Sequence, residues 1–304
     1  MSTGDAGEGL AVAASEALGI TVSSVSPCAG GDINRAARLE LADGRRAFLK
    51  FRPGAAPAEF HDEAAGLAWL AAAGSLGVPD VLAVVETPEA SGLVLEWIEP
   101  ARVAPVEFEE ALGRGLAAVH AAGAERHGSR PPAVKEGRIR FSAATLAAPP
   151  NGRPDLDFAE LYAARIEDLA RQAVEAGGLD QPGASAVSRL AGDVARHCGP
   201  PVPPARLHGD LWSGNVMTGA DGRPWLIDPA AYGGHPEIDL AMLELFGSPS
   251  QRFYDAYEEV SPLPEGRSRR VALWQIQPLL VHAVLFGGNY GRSAADAAVA
   301  CLRG

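Results

Sequence analysis

LHGDLWSGNVMTGADGRPWLIDP, residues 207–229, sets Asp210, Asn215 and Asp228 in the order and spacing of a phosphoryl-transfer site. Such a site needs one carboxylate to orient the acceptor hydroxyl and take its proton. It also needs an amide oxygen for Mg²⁺ a few residues later, and a second carboxylate on the next strand for the same metal. Asp210 and Asn215 stand five apart, with His208-Gly209 just before them. Between Asn215 and Asp228 the pattern predicts a hairpin: Val216-Met217, a turn over Gly219 to Pro224 containing Asp221-Gly222, then Trp225-Leu226-Ile227. A tight hairpin returns the chain beside its start, so Asp228 meets Asn215 across one metal site. Clusters of Asp, Asn and Gly also mark ordinary turns. Three ligand-type residues at this spacing around a hairpin point instead to Asp210 as the catalytic carboxylate, with Asn215 and Asp228 as metal ligands.

The rest of such a site is expected upstream. Ala29-Gly30-Gly31-Asp32-Ile33-Asn34 falls between two β-rich runs. Gly30 and Gly31 would let backbone N–H groups approach phosphates, and Asn34 would hold the turn. No G-K-[ST] follows, so this is not a Walker loop. Lys50, in Ala47-Phe48-Leu49-Lys50-Phe51, sits among apolar neighbours on a predicted strand. An ammonium there needs an anion, since an unpaired desolvated charge is costly. Glu63 on the following helix can supply it, with neighbouring Asp62 as the other candidate, leaving Lys50 to hold the α- and β-phosphates of ATP. Leu93-Val94-Leu95-Glu96-Trp97-Ile98 ends a later strand where backbone groups of Glu96, Trp97 and Ile98 would bond the adenine.

Composition fits this chemistry and excludes others. The chain of 304 residues is 47% hydrophobic and 21% charged, an ordinary globular balance with room for one large core or two moderate lobes. No apolar run reaches membrane-spanning length, and the first residues carry acids where a secretory signal needs bases. Cys28, Cys198 and Cys301 are far apart and odd in number, which argues for a reducing cytoplasm rather than a disulfide framework or a zinc site. A formal net charge of −12 argues against a phosphate-backbone binder, so no nucleic-acid partner is expected. Mg²⁺ and a few local cations handle the charge of ATP.

Read for organisation, the chain shows a short helix over 6–18, then β-rich runs over 20–25, 36–41 and 46–51. The last two are joined by Ala42-Asp43-Gly44. A helix over 57–73 and strands over 81–85 and 93–97 follow. The second half reads as helices over 106–122, 157–176, 184–198, 239–246, 249–259 and 267–286, with a long Gly-, Pro- and Arg-rich loop over 123–155. The expected fold class is α+β and bilobal. Residues 1–98 form a small antiparallel-sheet lobe that binds ATP, and residues 99–304 form a larger, mainly helical lobe with the acceptor site.

Taken together, these residues resemble the fructosamine kinase (ketosamine-3-kinase) family, a branch of the protein-kinase-like phosphotransferases that includes aminoglycoside and choline kinases. The resemblance rests on His208-Gly209-Asp210-Leu211-Trp212-Ser213-Gly214-Asn215, Ile227-Asp228-Pro229-Ala230, Tyr232-Gly233-Gly234-His235, Glu237-Ile238-Asp239-Leu240-Ala241-Met242 and Leu245-Phe246-Gly247. Weaker matches run from about Gly30 to Tyr290. The resemblance implies transfer of the ATP γ-phosphoryl group to the C3 hydroxyl of a sugar joined to an amine as a ketoamine. A phosphate at C3 is a good leaving group, so the adduct falls apart and frees the amine, a deglycation that repairs protein or metabolite. It further implies that Asp239 braces the backbone near His208, and that Trp212 and His235 lie on the acceptor side. His120 reads as structural.

Two stretches depart from the family pattern. Relatives commonly carry D-N-[FY]-I-G…P-Q-x-N between large-lobe helices. Here Gly137-Arg138-Ile139-Arg140-Phe141-Ser142 leads to Pro149-Pro150-Asn151-Gly152, in a region expected to border the acceptor. Asp32 stands where many relatives have Cys, so no thiol switch is expected in the Gly-rich loop. The alternatives are a kinase for another hydroxyl, on an aminoglycoside, amino-alcohol or sugar, and a nucleotide-binding module without activity.

Overall fold

The computed structural model describes residues 3–28, 34–101, 104, 106–134, 137, 139–141, 144–146, 157–247 and 249–304. The first Gly-rich stretch, with Gly30, Gly31 and Asp32, lies outside these residues, as do parts of the 137–152 segment.

Helix α1 (Thr3–Leu18) leads into strands β1 (Val22–Cys28), β2 (Arg35–Leu41) and β3 (Arg46–Pro53). Helix α2 (Pro57–Ala71) follows, then β4 (Val81–Glu86) and β5 (Ala90–Glu96). Among the described residues these five strands make one antiparallel sheet in the order β1-β2-β3-β5-β4. Alternation along the strands sorts the side chains. Ala47, Leu49 and Phe51 of β3 and Val94 of β5 pack with Leu10 and Ala14 of α1. Leu93 and Leu95 turn to the opposite face and pack with Phe60, Leu67 and Leu70 of α2. Lys50, one residue out of step with Leu49, therefore points toward α2.

Helix α3 (Phe108–Ala121) begins the mainly helical region. A short hairpin, β6 (Ile139–Phe141) and β7 (Ala144–Leu146), precedes α4 (Phe158–Glu175), α5 (Gln181–Ala191) and α6 (Val194–His197). Asp157 and Asp180 cap α4 and α5 by accepting the Glu160 and Gly183 N–H groups, each at 2.8 Å. Strands β8 (Ala205–Leu207), β9 (Val216–Thr218), β10 (Pro224–Leu226) and β11 (Tyr232–Gly234) then form two small antiparallel pairs, β9 with β10 and β8 with β11. Helices α7 (Glu237–Leu245), α8 (Gln251–Val260), α9 (Arg267–Phe286) and α10 (Tyr290–Cys301) complete the chain.

The α+β class is as expected from the sequence, and three readings change. The helix expected over 184–198 breaks into α5 and α6, because Gly192 and Asp193 interrupt it. The stretch expected as loop over 123–155 contains the β6–β7 hairpin. Helix α10 lies beyond the last element foreseen, in Ala-rich sequence with little charge pattern. Its Ala294, Ala298 and Cys301 pack into the largest core, around Tyr162, Leu169, Trp274 and Leu280. In that core Glu237 is buried and satisfied from two sides. It accepts from Arg270 Nε at 2.9 Å and Nη2 at 2.6 Å, and from Trp274 Nε1 at 2.8 Å.

Candidate active site

The segment that leads into the β9–β10 hairpin is anchored by a buried carboxylate. Asp239, fully buried on α7, accepts the backbone N–H of His208 at 2.7 Å and of Gly209 at 2.9 Å. His120 of α3 donates from Nε2 to the same carboxylate (3.2 Å) and accepts the Tyr257 hydroxyl at Nδ1 (2.7 Å). Three helices thus meet at the start of the loop. Gly209 has φ +83°, and a Cβ there would stand 2.2 Å from the Ala230 carbonyl oxygen. A side chain is excluded on both counts. His208 then spans the two halves of the motif. Its Nε2 donates to the Ile227 carbonyl at 2.9 Å, and its Nδ1 accepts the Asp210 N–H at 3.3 Å. Burial lowers its pKa despite the nearby Asp239 charge, so the neutral ring these bonds require is the favoured form.

Asn215, at the end of a 3₁₀ turn over Ser213–Asn215, donates from Nδ2 to the Asp210 carbonyl (2.8 Å) and to Asp210 Oδ2 (3.2 Å). Its backbone oxygen accepts the Ile227 N–H at 3.1 Å, which draws Asp228 alongside. Asp228 is the one non-glycine residue at positive φ (+56°) among the described residues. Strain of this kind persists where the surroundings enforce it. Here Lys50 does so, ion-pairing with Asp228 Oδ1 and with Glu63 Oε2 at 2.8 Å. Asp62, the other acid considered for Lys50, pairs with Arg130 at 2.7 Å instead.

The electrostatics follow from one cation among several carboxylates. Burial alone would lower Lys50, but Glu63 and Asp228 together hold it above its ordinary range. Glu63 is pushed up to about 7 by burial and by Asp228, against the pull of Lys50. Asp210 is raised to about 6, first by burial and then by the charge of Asp228. A carboxyl tuned to this range suits proton transfer near neutrality.

These groups line a cavity of about 540 Å³, to which Asn34, Lys50, Glu63, Asp210, Asn215 and Asp228 all contribute. Asn34 accepts from Arg52 at 3.1 Å, and Arg52 also pairs with Glu59. Trp212, 39% exposed, stands at the mouth. It meets Phe246 edge-on, with centroids 6.4 Å apart, and Phe246 packs on His282 at 4.7 Å. His282 in turn contacts Tyr290 (5.0 Å) and Phe286 (5.6 Å). Sequence reading set Trp212 and the stretch with Arg140 and Phe141 beside the acceptor, but missed Phe246, His282, Phe286 and Tyr290 as one wall, and Arg130 of the same cavity. The His282 and Phe286 pair at i and i+4 was a usable signal. Tyr290, on an unforeseen helix, offered none.

Four expected residues lie elsewhere. Glu96, Trp97 and Ile98 are not part of this cavity's lining. Glu96 ties to Asp80, donating N–H to its carbonyl (2.9 Å) and accepting its N–H (3.2 Å), while the guanidinium groups of Arg38 and Arg46 stand 5.8 Å and 5.7 Å from the Trp97 ring centroid. His235 is 2% exposed, stacked on Trp274 at 4.7 Å and off the cavity.

The donor set fits Mg²⁺. Both Asn215 and Asp228 offer oxygen, the Asn215 amide nitrogen is already used, and Mg²⁺ is commonly held by one or two side chains with substrate phosphates and water supplying the rest.

A fructosamine kinase family model matches residues 10–303. The chain belongs to the fructosamine kinase family. It is 33% identical over 268 residues to the probable ketoamine kinase of Enterococcus faecium, covering 88% of this chain and 91% of that one. It is 34% identical over 285 residues to the probable ketoamine kinase of Synechocystis, covering 90% and 88%. A crystal structure from Thermobifida fusca, provisionally named a fructosamine-3-kinase, superposes with a TM-score of 0.83 at 37% identity, covering 97% of this chain and 99% of that chain. A macrolide 2′-phosphotransferase from Brachybacterium faecium shares the fold alone, with a TM-score of 0.54 at 16% identity and 97% coverage of each chain. The fold is protein-kinase-like, and this family member is an ATP-dependent phosphotransferase acting on a hydroxyl group.

Proposed function

We propose that this fructosamine kinase family member transfers the γ-phosphoryl group of Mg²⁺-ATP to the C3 hydroxyl of a ketoamine, priming the adduct to release its amine. The observation that carries the reading is the placement of Asp210 beside Asn215 and Asp228 on one wall of a cavity whose mouth holds Trp212. Mg²⁺-ATP, when bound, supplies the phosphoryl group and neutralises charge on it. Asp210 Oδ orients the acceptor hydroxyl and takes its proton as the oxygen becomes a nucleophile. Asn215 and Asp228 would hold the metal, and Lys50, steadied by Glu63, would hold the α- and β-phosphates. Gly30, Gly31 and Asn34 would cover those phosphates, and backbone groups of Glu96 to Ile98 would take the base. In this reading residues 1–98 work as the nucleotide lobe and 99–304 as the acceptor lobe. Asp239 acts through the loop backbone and does not touch the reactants. Trp212 presents a flat face to the sugar, while His235 serves the core behind it.

Among the described residues no helix is long and apolar enough to cross a membrane. All three cysteines are free, which agrees with work in a reducing cytoplasm. Phosphorylation of a fructosyl-amine at C3, shown by mass spectrometry and followed by amine release, tests the assignment. Turnover confined to an aminoglycoside or choline would replace the acceptor and keep the chemistry.

A further inference from the structure

Lys50, Arg52, Arg130 and Arg140 line the cavity. Lys50 is engaged by Glu63 and Asp228, Arg52 by Glu59 and Asn34, and Arg130 by Asp62. Arg140 is exposed and, among the described residues, is the one of these four cations with no ion pair or hydrogen bond from its side chain. Its position is nevertheless fixed. Arg140 lies opposite Thr145 in the β6–β7 pair. Thr145 donates its N–H to Gln172 Oε1 at 3.0 Å and accepts from Gln172 Nε2 at 2.8 Å, which pins the hairpin to α4. The next residue, Phe141, also borders a smaller space beside Gly209, Asp210 and His282. The strand bearing Arg140 therefore runs along the wall that carries the catalytic aspartate.

Resting on the ketoamine reading, we infer that Arg140 is a specificity-determining residue that binds an anionic substituent of the acceptor. A guanidinium presents a planar fork of donors that matches a carboxylate or a phosphate, and a solvated polyol gives it no comparable partner. The remaining cavity cations are already matched by acids, so an anion on the acceptor finds its partner at Arg140. Two sources share this chemistry: the α-carboxylate of an amino acid whose amine carries the sugar, and a phosphate at the far end of the sugar.

Three acceptors separate the cases: an Nα-fructosyl amino acid, its carboxamide, and the 6-phosphate of that carboxamide. The wild-type enzyme should turn over at least one anionic acceptor with a KM roughly tenfold below that of the neutral carboxamide, the size of one charge-assisted contact at an open site. Whichever anion is preferred names the source. Arg140→Gln should bring kcat/KM for that acceptor down to the neutral value, and Arg140→Lys should keep part of the preference. Equal kcat/KM for all three acceptors, or a preference that survives Arg140→Gln, would overturn the inference while leaving the ketoamine reading in place. No turnover of any of the three would overturn the ketoamine reading itself, and this inference with it.

Discussion

Asp210 carries its proton to higher pH than an ordinary aspartate because it is buried beside Asp228. In the proposed role of base it must be ionised, so kcat/KM should fall as pH drops through about 6. Asp210→Ala should cut kcat by roughly 10²- to 10⁴-fold while leaving Mg²⁺-ATP affinity nearly intact, as read by titration calorimetry. Loss of nucleotide binding instead would remove Asp210 from the proton-transfer role. His235 gives a second pH dependence, in stability rather than rate. Burial, with help from His127 and Arg270, holds its folded pKa down to about 3. The stability this contributes is present above the unfolded value near 6.5 and is lost as pH falls from there through about 3. His235→Phe should flatten the urea midpoint against pH across that window. An unchanged slope would mean that the ring charges without penalty. Asp239→Ala should destabilise the protein by about 3 kcal/mol or more, because it strips the acceptor from two backbone N–H groups and from His120.

The β9–β10 hairpin is aimed by what it docks against. Gly77 donates its N–H to the Pro224 carbonyl at 2.9 Å and accepts the Leu226 N–H at 2.8 Å, tying the segment after α2 to β10, the strand just before Asp228. A Cβ on Gly77 would sit 2.3 Å from the Trp225 ring. Gly77→Ala should therefore cost about 1–3 kcal/mol and lower kcat together, seen as a reduced denaturation midpoint and slower turnover. Loss of stability at unchanged kcat would show that the hairpin finds its place without this contact. The hairpin itself was legible in the sequence, because Asp221-Gly222 punctuates two apolar runs. So was the pairing of Lys50 with Glu63, since a lysine among apolar strand neighbours needs an acid and the following helix offers one. The aromatic wall was not. Phe246, His282 and Tyr290 come from three separate elements, and nothing local in their sequence says that they meet. His235 sat within a motif-like run, yet packing against Trp274 placed it in the core.

Among the described residues, one of three apolar cores joins the sheet to the helices. Leu93 and Leu95 of β5 and Leu67 of α2 share it with Leu116 of α3, Leu226 of β10 and Phe253 of α8. Helix α2, which bears Glu63, is thereby packed into the same interior as the β9–β10 hairpin that leads to Asp228. Differential scanning calorimetry should show one cooperative transition, shifted upward by Mg²⁺-ATP, with about 2.7 kcal/mol of added stability at a hundredfold excess over Kd. Two transitions, one of them unmoved by nucleotide, would contradict a shared core.

The proposed phosphoryl transfer from ATP to a ketoamine hydroxyl is best checked at its product. The enzyme would be incubated with Mg²⁺-ATP and an Nα-fructosyl amino acid, and phosphate placement read by tandem mass spectrometry and phosphorus NMR. We expect a single phosphate on C3, absent with Asp210→Ala, and subsequent release of the free amine. Phosphate on another hydroxyl, or ATP consumption only with an aminoglycoside or choline, would contradict it.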